Sequence, residues 1–460
     1  MLASLNGALG LTLAELLWRH PSSRALWVAS LATLTAVAVR AVRLPSVGLW
    51  FLGTYVFLFY WTPIMYGMPD GFDRSVQSTY AFHTVGGATF WLTAYIVCQG
   101  KARSQRRPRP SAAPGNSFKV LALLGAAGGV ASVLAVMMQL GGVGAILGGT
   151  RLAAKQRGGL LLYVSMYGSL VVPYTAAAYW TLREQVRRLA LALLLGGFGM
   201  SLGYFLAVRT RTHLVAYVVA FAGGWFLRPR DGDVEHPTVR HFFRERPRRL
   251  VGATLCIAFL IVSMFAVRVG RGVYESGGSV TAQLRALGLS GLVRVGTSAD
   301  ADIAADVGYT PTVLKVMEQV PDTHDYLYGS SYYRLLTIGR SERPEETSRL
   351  VGRWFSGGNL MTIPPGFVGD AYMNFGDAGL LVYLVVGGAM AVFDRQRSLI
   401  ALLAAAISFT WVFHMVRGNF GNSLIILLLA CSPAILLRLS MAIQRHERPR
   451  LLPAAPLSSG

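Results

Sequence analysis

Three short stretches of the sequence carry cationic side chains at helical spacing, with no carboxylate in the same stretch. The members of each stretch that lie three or four positions apart share one face of a helix. Guanidinium groups bind phosphate oxygens through paired hydrogen bonds, so these stretches suit a dianionic head group. For any single stretch, a cation that lies at a membrane interface is the alternative interpretation. The residues are Arg151 with Lys155, Arg209 and Arg211 with His213, and His414 with Arg417.

A second constellation surrounds two prolines and a glycine at positions 364–366, which predict a rigid turn. Asp370, Tyr372 and Asn374 follow, and we expect them before a membrane span, at its mouth. Asp370 is the first candidate for a proton acceptor, ahead of His414 and His213. Asp377 falls in the first turn of the expected span, where a carboxylate usually caps the helix.

Tyrosines are concentrated upstream of this turn, between positions 326 and 334. Tyr328 and Tyr332, with the hydroxyls of the neighbouring serines, offer the rings and donors that hold the faces of sugars. Ordinary packing explains such a segment equally well, and the sequence leaves both interpretations open.

The composition indicates the elements that must position these residues. Hydrophobic residues make up 53% of the 460 residues, whereas Asp, Glu, Lys and Arg together make up 14%, too little charge to cover a soluble surface. With a mean hydropathy of +0.46, the chain is expected to be an all-α membrane protein with many spans. The three cysteines show no metal-ligand spacing, and we expect neither a metal site nor a cofactor.

Apolar runs predict about twelve transmembrane helices. With the N-terminus in the cytoplasm, the cytoplasmic segments hold 23 Lys and Arg and the short outside loops hold nine, which favours cytoplasmic N- and C-termini. This distribution accounts for most of the net charge of +21 without nucleic acid. The predicted spans are 2–18, 25–40, 46–64, 79–99, 118–140, 160–181, 189–208, 213–228, 250–268, 376–393, 398–414 and 423–438.

The spans divide the chain into four parts. Residues 1–268 hold nine spans with basic cytoplasmic loops at 100–117 and 228–249, and residues 376–438 hold the last three spans. Between them, 269–375 form one long outside segment, in which 280–293 and 312–320 have helical periodicity. Residues 439–460 form a cytoplasmic tail.

The motifs resemble a known family, the O-antigen polymerases, or Wzy-type polymerases of oligosaccharide repeat units in bacterial surface polysaccharide synthesis. The resemblance lies in Tyr326 to Ser331, in Arg343 to Glu346, and in Pro365 to Gly379 with its Tyr-Met-Asn-Phe-Gly sequence. Arg209 to Arg211 and His414 to Gly418 are similar to the short outside Arg motifs of this group. The layout of twelve spans with one large outside loop fits as well.

The resemblance implies a metal-independent membrane glycosyltransferase in the bacterial cytoplasmic membrane. It would move a glycan from undecaprenyl pyrophosphate to an acceptor sugar at the outer face, alongside a partner that regulates chain length. Arg209, Arg211 and Arg417 would stabilise the departing phosphate, and Arg151 with Lys155 would hold the second lipid. The tyrosine-rich segment and Asn374 would hold the sugars, and Asp370 would accept the proton or steady the sugar cation.

Two alternatives stay open at the level of sequence. An O-antigen ligase, or another lipid-linked glycosyltransferase, would use the same donor with a different acceptor. A secondary transporter or lipid flippase would belong to another class, and it would be expected to show internal repeats and charged residues in the middle of its spans. The sequence shows no repeat between its halves, and its ionisable groups cluster at one face.

Overall fold

The computed structural model describes residues 2–42, 46–99, 309–323, 326–333, 347–356 and 363–394, with isolated positions elsewhere. These residues are almost entirely helical, and none of them forms a β-strand. The helices are α1 Leu2–Arg19, α2 Arg24–Ala41, α3 Val47–Phe59, α4 Trp61–Met65, α5 Arg74–Gln99, α6 Thr310–Thr323, α7 Ser330–Tyr333, α8 Thr347–Ser356, α9 Gly366–Phe375 and α10 Leu380–Asp394.

Three helical stretches are long and apolar enough to cross a membrane: Arg24–Ala41, Arg74–Gln99 and Gly366–Asp394. The first two match the predicted spans 25–40 and 79–99, while the third begins ten positions before the predicted 376. α1 covers the predicted 2–18 as a helix but is not one of these three stretches, and α6 confirms the helix expected at 312–320. The other predicted spans, the basic loops and the 280–293 helix lie outside the described residues, apart from isolated positions.

The predicted span 46–64 is two helices in the structure, with a break at Tyr60. Pro63 is the cause, because proline has no N–H to donate to the carbonyl four residues earlier, that of Phe59. The hydroxyl of Tyr80 donates to that carbonyl instead, at 2.7 Å. A side chain from α5 therefore satisfies the main-chain oxygen that the proline leaves without its helical partner.

α5 lies at the centre of the described helices and packs antiparallel to α1. Asn6 on α1 donates to the main-chain oxygen of Thr89 at 3.1 Å and to the hydroxyl of Thr93 at 2.9 Å. Gly10 permits this close approach, because a Cβ there would overlap the side chain of Thr89. Small residues and interhelical hydrogen bonds of this kind are what hold helices together in an apolar environment.

α10 packs parallel to α5 along its whole length. A Cβ at Gly87 would lie 2.6 Å from the ring of Tyr383, and a Cβ at Gly387 would overlap the main-chain oxygen of Trp91. At the far end, the carboxyl of Asp394 accepts one hydrogen bond, at 2.6 Å, from the hydroxyl of Tyr95 of α5. The two glycines thus let a bulky helix face lie directly against a main chain.

The carboxyl of Asp394 also caps a third helix. It accepts hydrogen bonds from the amides of Val47 and Gly48 at 2.9 and 3.1 Å, and from the Ser46 hydroxyl at 2.6 Å. These amides are the first of α3, which have no partner within their own helix. One carboxyl group therefore joins α3, α5 and α10 at a single end of the bundle.

Candidate functional site

The candidate site is built around α9. This helix begins earlier in the chain than the sequence predicted. The prediction that Asp370 precedes the helix is wrong, because the helix begins at Gly366, directly after the two prolines. Proline is compatible with the first turn of a helix, where its missing N–H costs nothing. The apolar side chains of the segment are then buried together on the core, and Asp370 is fully buried with them.

The carboxyl of Asp370 holds the chain near position 420. Oδ2 accepts a hydrogen bond from the amide of Phe420 at 3.1 Å, and the side chain of Thr347 is a further partner. Oδ1 is buried and accepts no hydrogen bond among the described residues. A carboxyl with no exposed surface is placed to position other groups rather than to meet a sugar.

The ring of Tyr332 lies beside this carboxyl. It packs on Phe375 and Phe420, with ring centroids 5.7 and 5.2 Å apart. Burial raises the pKa of the Tyr332 phenol well above its ordinary value, and the Asp370 carboxyl adds to the shift. Of the two interpretations of this tyrosine, packing is the one the contacts favour.

Asn374 joins α9 to the tyrosine-rich segment. Its amide nitrogen donates to the main-chain oxygen of Asp370 at 2.8 Å, and its amide oxygen accepts from the Ser331 hydroxyl at 3.0 Å. The amide of Leu327 donates to the main-chain oxygen of Met373 at 2.9 Å. Because Asn374 is fully buried, its contacts are those of a connector between two segments.

Arg417 lies where α6 begins. Its Nε donates to the hydroxyl of Tyr309 at 2.8 Å. The amide of Tyr309 in turn donates to the main-chain oxygen of Leu58 at the end of α3, 3.2 Å away. Arg417 is half-buried, and its hydrogen bond to this phenol joins the chain near position 417 to the start of α6.

Tyr328 occupies a turn and projects outward. Its φ of 47° is in the left-handed region, which is unfavourable for a side chain of this size, and its exposed fraction is 74%. The next residue, Gly329, has a φ of 78°. A strained and exposed aromatic residue is a typical feature of a binding surface.

Asp377 pairs with a histidine from a distant part of the chain. It lies in a 3₁₀ turn, Gly376–Gly379, between α9 and α10, and its Oδ1 is 3.0 Å from Nε2 of His83 on α5. Among the described residues, this carboxylate contacts the imidazole rather than main-chain amides, so the cap expected at this position is not what forms. The ring of Tyr372 packs edge-on against His83, with centroids 5.1 Å apart.

His83 was not among the residues singled out from the sequence. The signal was present, because an ionisable residue inside an apolar span of membrane length usually has a role. The partner could not be found in this way, since Asp377 is 294 positions away.

The remaining predicted site residues, Arg151, Lys155, Arg209, Arg211, His213 and His414, lie outside the described residues. Within the part of the chain that the structure describes, no group of three His, Cys, Asp or Glu side chains could hold a metal. The structure does bring together the segments that contain Tyr328, Asp370 and Arg417. Comparison of the chain with models of known families, with curated proteins and with solved structures finds no match.

Proposed function

We propose that the chain is a membrane glycosyltransferase that polymerises lipid-linked oligosaccharide repeat units in the synthesis of a bacterial surface polysaccharide. The donor would be a glycan on undecaprenyl pyrophosphate, and the acceptor a sugar of the next lipid-linked unit. The reaction would take place at the outer face of the cytoplasmic membrane.

One observation carries the proposal: three separate motifs meet around α9. Ser331 binds Asn374, the amide of Phe420 binds Asp370, and Leu327 binds the main chain of α9. The motifs were chosen from their chemistry, namely aromatic rings, carboxyl and amide groups, and cations. Their convergence supports a site that binds both a sugar and a phosphate.

The protein does not need to activate the leaving group covalently, because pyrophosphate is already a good leaving group. Positioning and charge stabilisation are the main contributions. Arg417 would bind the departing phosphate together with Arg209 and Arg211, and Arg151 with Lys155 would bind the second lipid. Asp370 would act as a positioning residue, since its carboxyl holds the Phe420 main chain three residues after Arg417.

The relative directions of the described helices fit the alternation of the proposed spans, whichever membrane face is cytoplasmic. α1 and α3 run antiparallel to α5, and α10 runs parallel to it, as shown by the Asn6–Thr89, Tyr80–Phe59 and Tyr95–Asp394 contacts. The proposed topology requires these same directions. In it, the ends of α5 and α9 near His83 and Asp377 face outward.

The test is polymer synthesis by the purified protein in lipid nanodiscs. The substrate is the lipid-linked repeat unit extracted from a strain in which this gene is deleted. Wild-type protein should produce a ladder of lengthened glycans on undecaprenyl pyrophosphate, resolved by gel electrophoresis and mass spectrometry. Product only on added lipid A core would indicate a ligase, and transport of the unit without lengthening would indicate a flippase; either result contradicts the proposal.

Arg417 provides the residue-level test. Arg417→Ala should lower the rate by at least about 100-fold, as loss of a group that stabilises developing charge typically does. Arg417→Lys keeps the charge but not the planar guanidinium, so its rate should lie between that of Arg417→Ala and that of wild type. Arg19→Ala is the matched control, because Arg19 is an exposed arginine at the same end of the bundle whose partners include Glu15. Equal rates for Arg417→Ala and wild type would contradict the phosphate role.

A further inference from the structure

The 3₁₀ turn between α9 and α10 carries an exposed carboxylate that a buried histidine holds in place. The side chain of Asp377 is 88% exposed and that of His83 is 1% exposed. Nε2 of His83 lies 3.0 Å from Oδ1 of Asp377, so the tautomer with its proton on Nε2 makes the hydrogen bond. The carboxylate is therefore oriented and at the same time open to a ligand.

The contacts of His83 indicate an orienting role for the imidazole. Nδ1 is buried and has no hydrogen-bond partner among the described residues. The rings of Phe82 and Tyr372 pack edge-on against the imidazole, with centroids 6.2 and 5.1 Å away. With one nitrogen on the carboxylate and the other enclosed, the ring cannot itself reach an external hydroxyl.

The turn at Tyr328 lies against the residues that immediately precede Asp377. A Cβ at Gly329 would be 3.1 Å from the ring of Phe375, and a Cβ at Gly376 would be 2.7 Å from the ring of Tyr326. Tyr326 in turn contacts Tyr328, with centroids 6.5 Å apart. An exposed tyrosine ring and an exposed carboxylate therefore lie on two segments that contact each other and together form one candidate surface.

This surface has the two features that an acceptor sugar needs. The ring of Tyr328 offers an apolar platform for a sugar face, and the carboxylate of Asp377 accepts a hydrogen bond from a sugar hydroxyl. The buried carboxyl of Asp370 cannot do the same, since none of its surface is exposed.

We propose that Asp377 is the catalytic residue that accepts the proton of the attacking sugar hydroxyl, and that His83 is the positioning residue that orients it. The assignment rests on the proposed polymerase function and adds the residue that removes the proton. The hydroxyl oxygen forms a bond to the anomeric carbon of the donor glycan while the bond from that carbon to the pyrophosphate oxygen breaks. The electron pair leaves with undecaprenyl pyrophosphate, the proton passes to Asp377, and water then removes it.

The first test compares Asp377→Asn with wild type in the nanodisc assay. We expect kcat to fall by at least about 100-fold, the usual contribution of a general base. KM for the lipid-linked unit should change less than about threefold, because the neutral amide still hydrogen-bonds a hydroxyl. Asp377→Glu should recover part of the rate. Asp70→Asn is the matched control, since Asp70 is another exposed carboxylate in an outer loop of the proposed topology.

The second test separates orientation by His83 from a purely structural role. In His83→Gln the side-chain amide can still donate to Asp377, whereas His83→Ala removes the donor. We expect kcat to fall about tenfold or more in His83→Ala, through misplacement of the carboxylate, and to recover in His83→Gln. If both variants have a lower melting temperature but the same kcat per folded molecule as wild type, the positioning role is overturned.

The outcomes distinguish this inference from the proposed function. A wild-type protein that neither lengthens the lipid-linked unit nor binds undecaprenyl pyrophosphate would overturn both. A wild-type protein that lengthens the unit while Asp377→Asn does so at a similar rate would overturn the role of Asp377 alone. Normal binding of undecaprenyl pyrophosphate by Asp377→Asn, with lengthening lost, supports the assignment.

Discussion

The hydroxyl of Tyr80 donates a hydrogen bond to the main-chain oxygen of Phe59, the carbonyl that Pro63 leaves without a helical donor. The phenol has one proton, so the Thr310 hydroxyl, 2.8 Å from it, acts as donor in the second contact. One side chain thus binds both the last residue of α3 and the first residue of α6.

Tyr80→Phe should destabilise the protein by about 1–3 kcal/mol, because it leaves a buried carbonyl and a buried hydroxyl without a partner. The measurement is unfolding in detergent micelles with increasing fractions of a denaturing detergent. Tyr66→Phe is the control, as the Tyr66 side chain is 44% exposed. Equal unfolding midpoints for the two variants would show that the contact contributes nothing.

Asp394→Ala should lower stability by about 1–3 kcal/mol, because the first amides of α3 and the phenol of Tyr95 lose their acceptor. Asp394→Asn keeps an acceptor oxygen and should lose less. Thermal unfolding of both variants, followed by the fluorescence of the tryptophans, measures the difference. A larger loss for the Asn variant would contradict the capping role.

Gly376→Ala should destabilise the turn between α9 and α10 by about 1 kcal/mol or more. Its φ is 55°, and a Cβ would lie 2.7 Å from the ring of Tyr326. Gly53→Ala in α3 is the control, because a Cβ there would meet nothing within 4 Å. The measurement is the melting temperature of each variant relative to wild type. A lower melting temperature for Gly53→Ala but not for Gly376→Ala would refute the expectation.

Cysteine labelling checks the proposed topology. With Cys98, Cys256 and Cys431 replaced by serine, a membrane-impermeant maleimide should label Asp70→Cys in intact spheroplasts. Ser104→Cys, in a predicted cytoplasmic loop, should react only after permeabilisation. The positive-inside distribution underlies this expectation, and the reverse pattern would invert the topology.

Within the described residues, long apolar runs predicted α2 and α5 closely, because length and composition are enough to identify a helix that could cross a membrane. The ends of α2 agree with the predicted span to within one residue. α9 was missed as a helix, because two prolines and a glycine locally indicate a turn. Its helical form depends on burial against distant segments, which no local pattern records.

The candidate site was predictable in its residue types but not in their roles. Tyr328 and Tyr332 look alike in the sequence, yet one is exposed and the other packs on Phe375 and Phe420. Asp370, which we expected to be accessible, is buried, whereas Asp377, which we expected to cap a helix, is exposed. Which member of each pair is buried depends on the packing of α9 against α5 and the 326–333 segment, and local spacing carries no information on that.

Side-chain hydrogen bonds join the parallel helices α5 and α10 near both ends of their shared interface. The imidazole of His83 holds Asp377 at one end, and Tyr95 holds Asp394 at the other. Hydrogen bonds at two separated points oppose sliding of one helix along the other and rotation about its axis, so we expect the pair to move as one unit. In the proposed polymerase, we therefore expect a bulky lipid-linked substrate to be admitted by movement of elements other than this pair of helices.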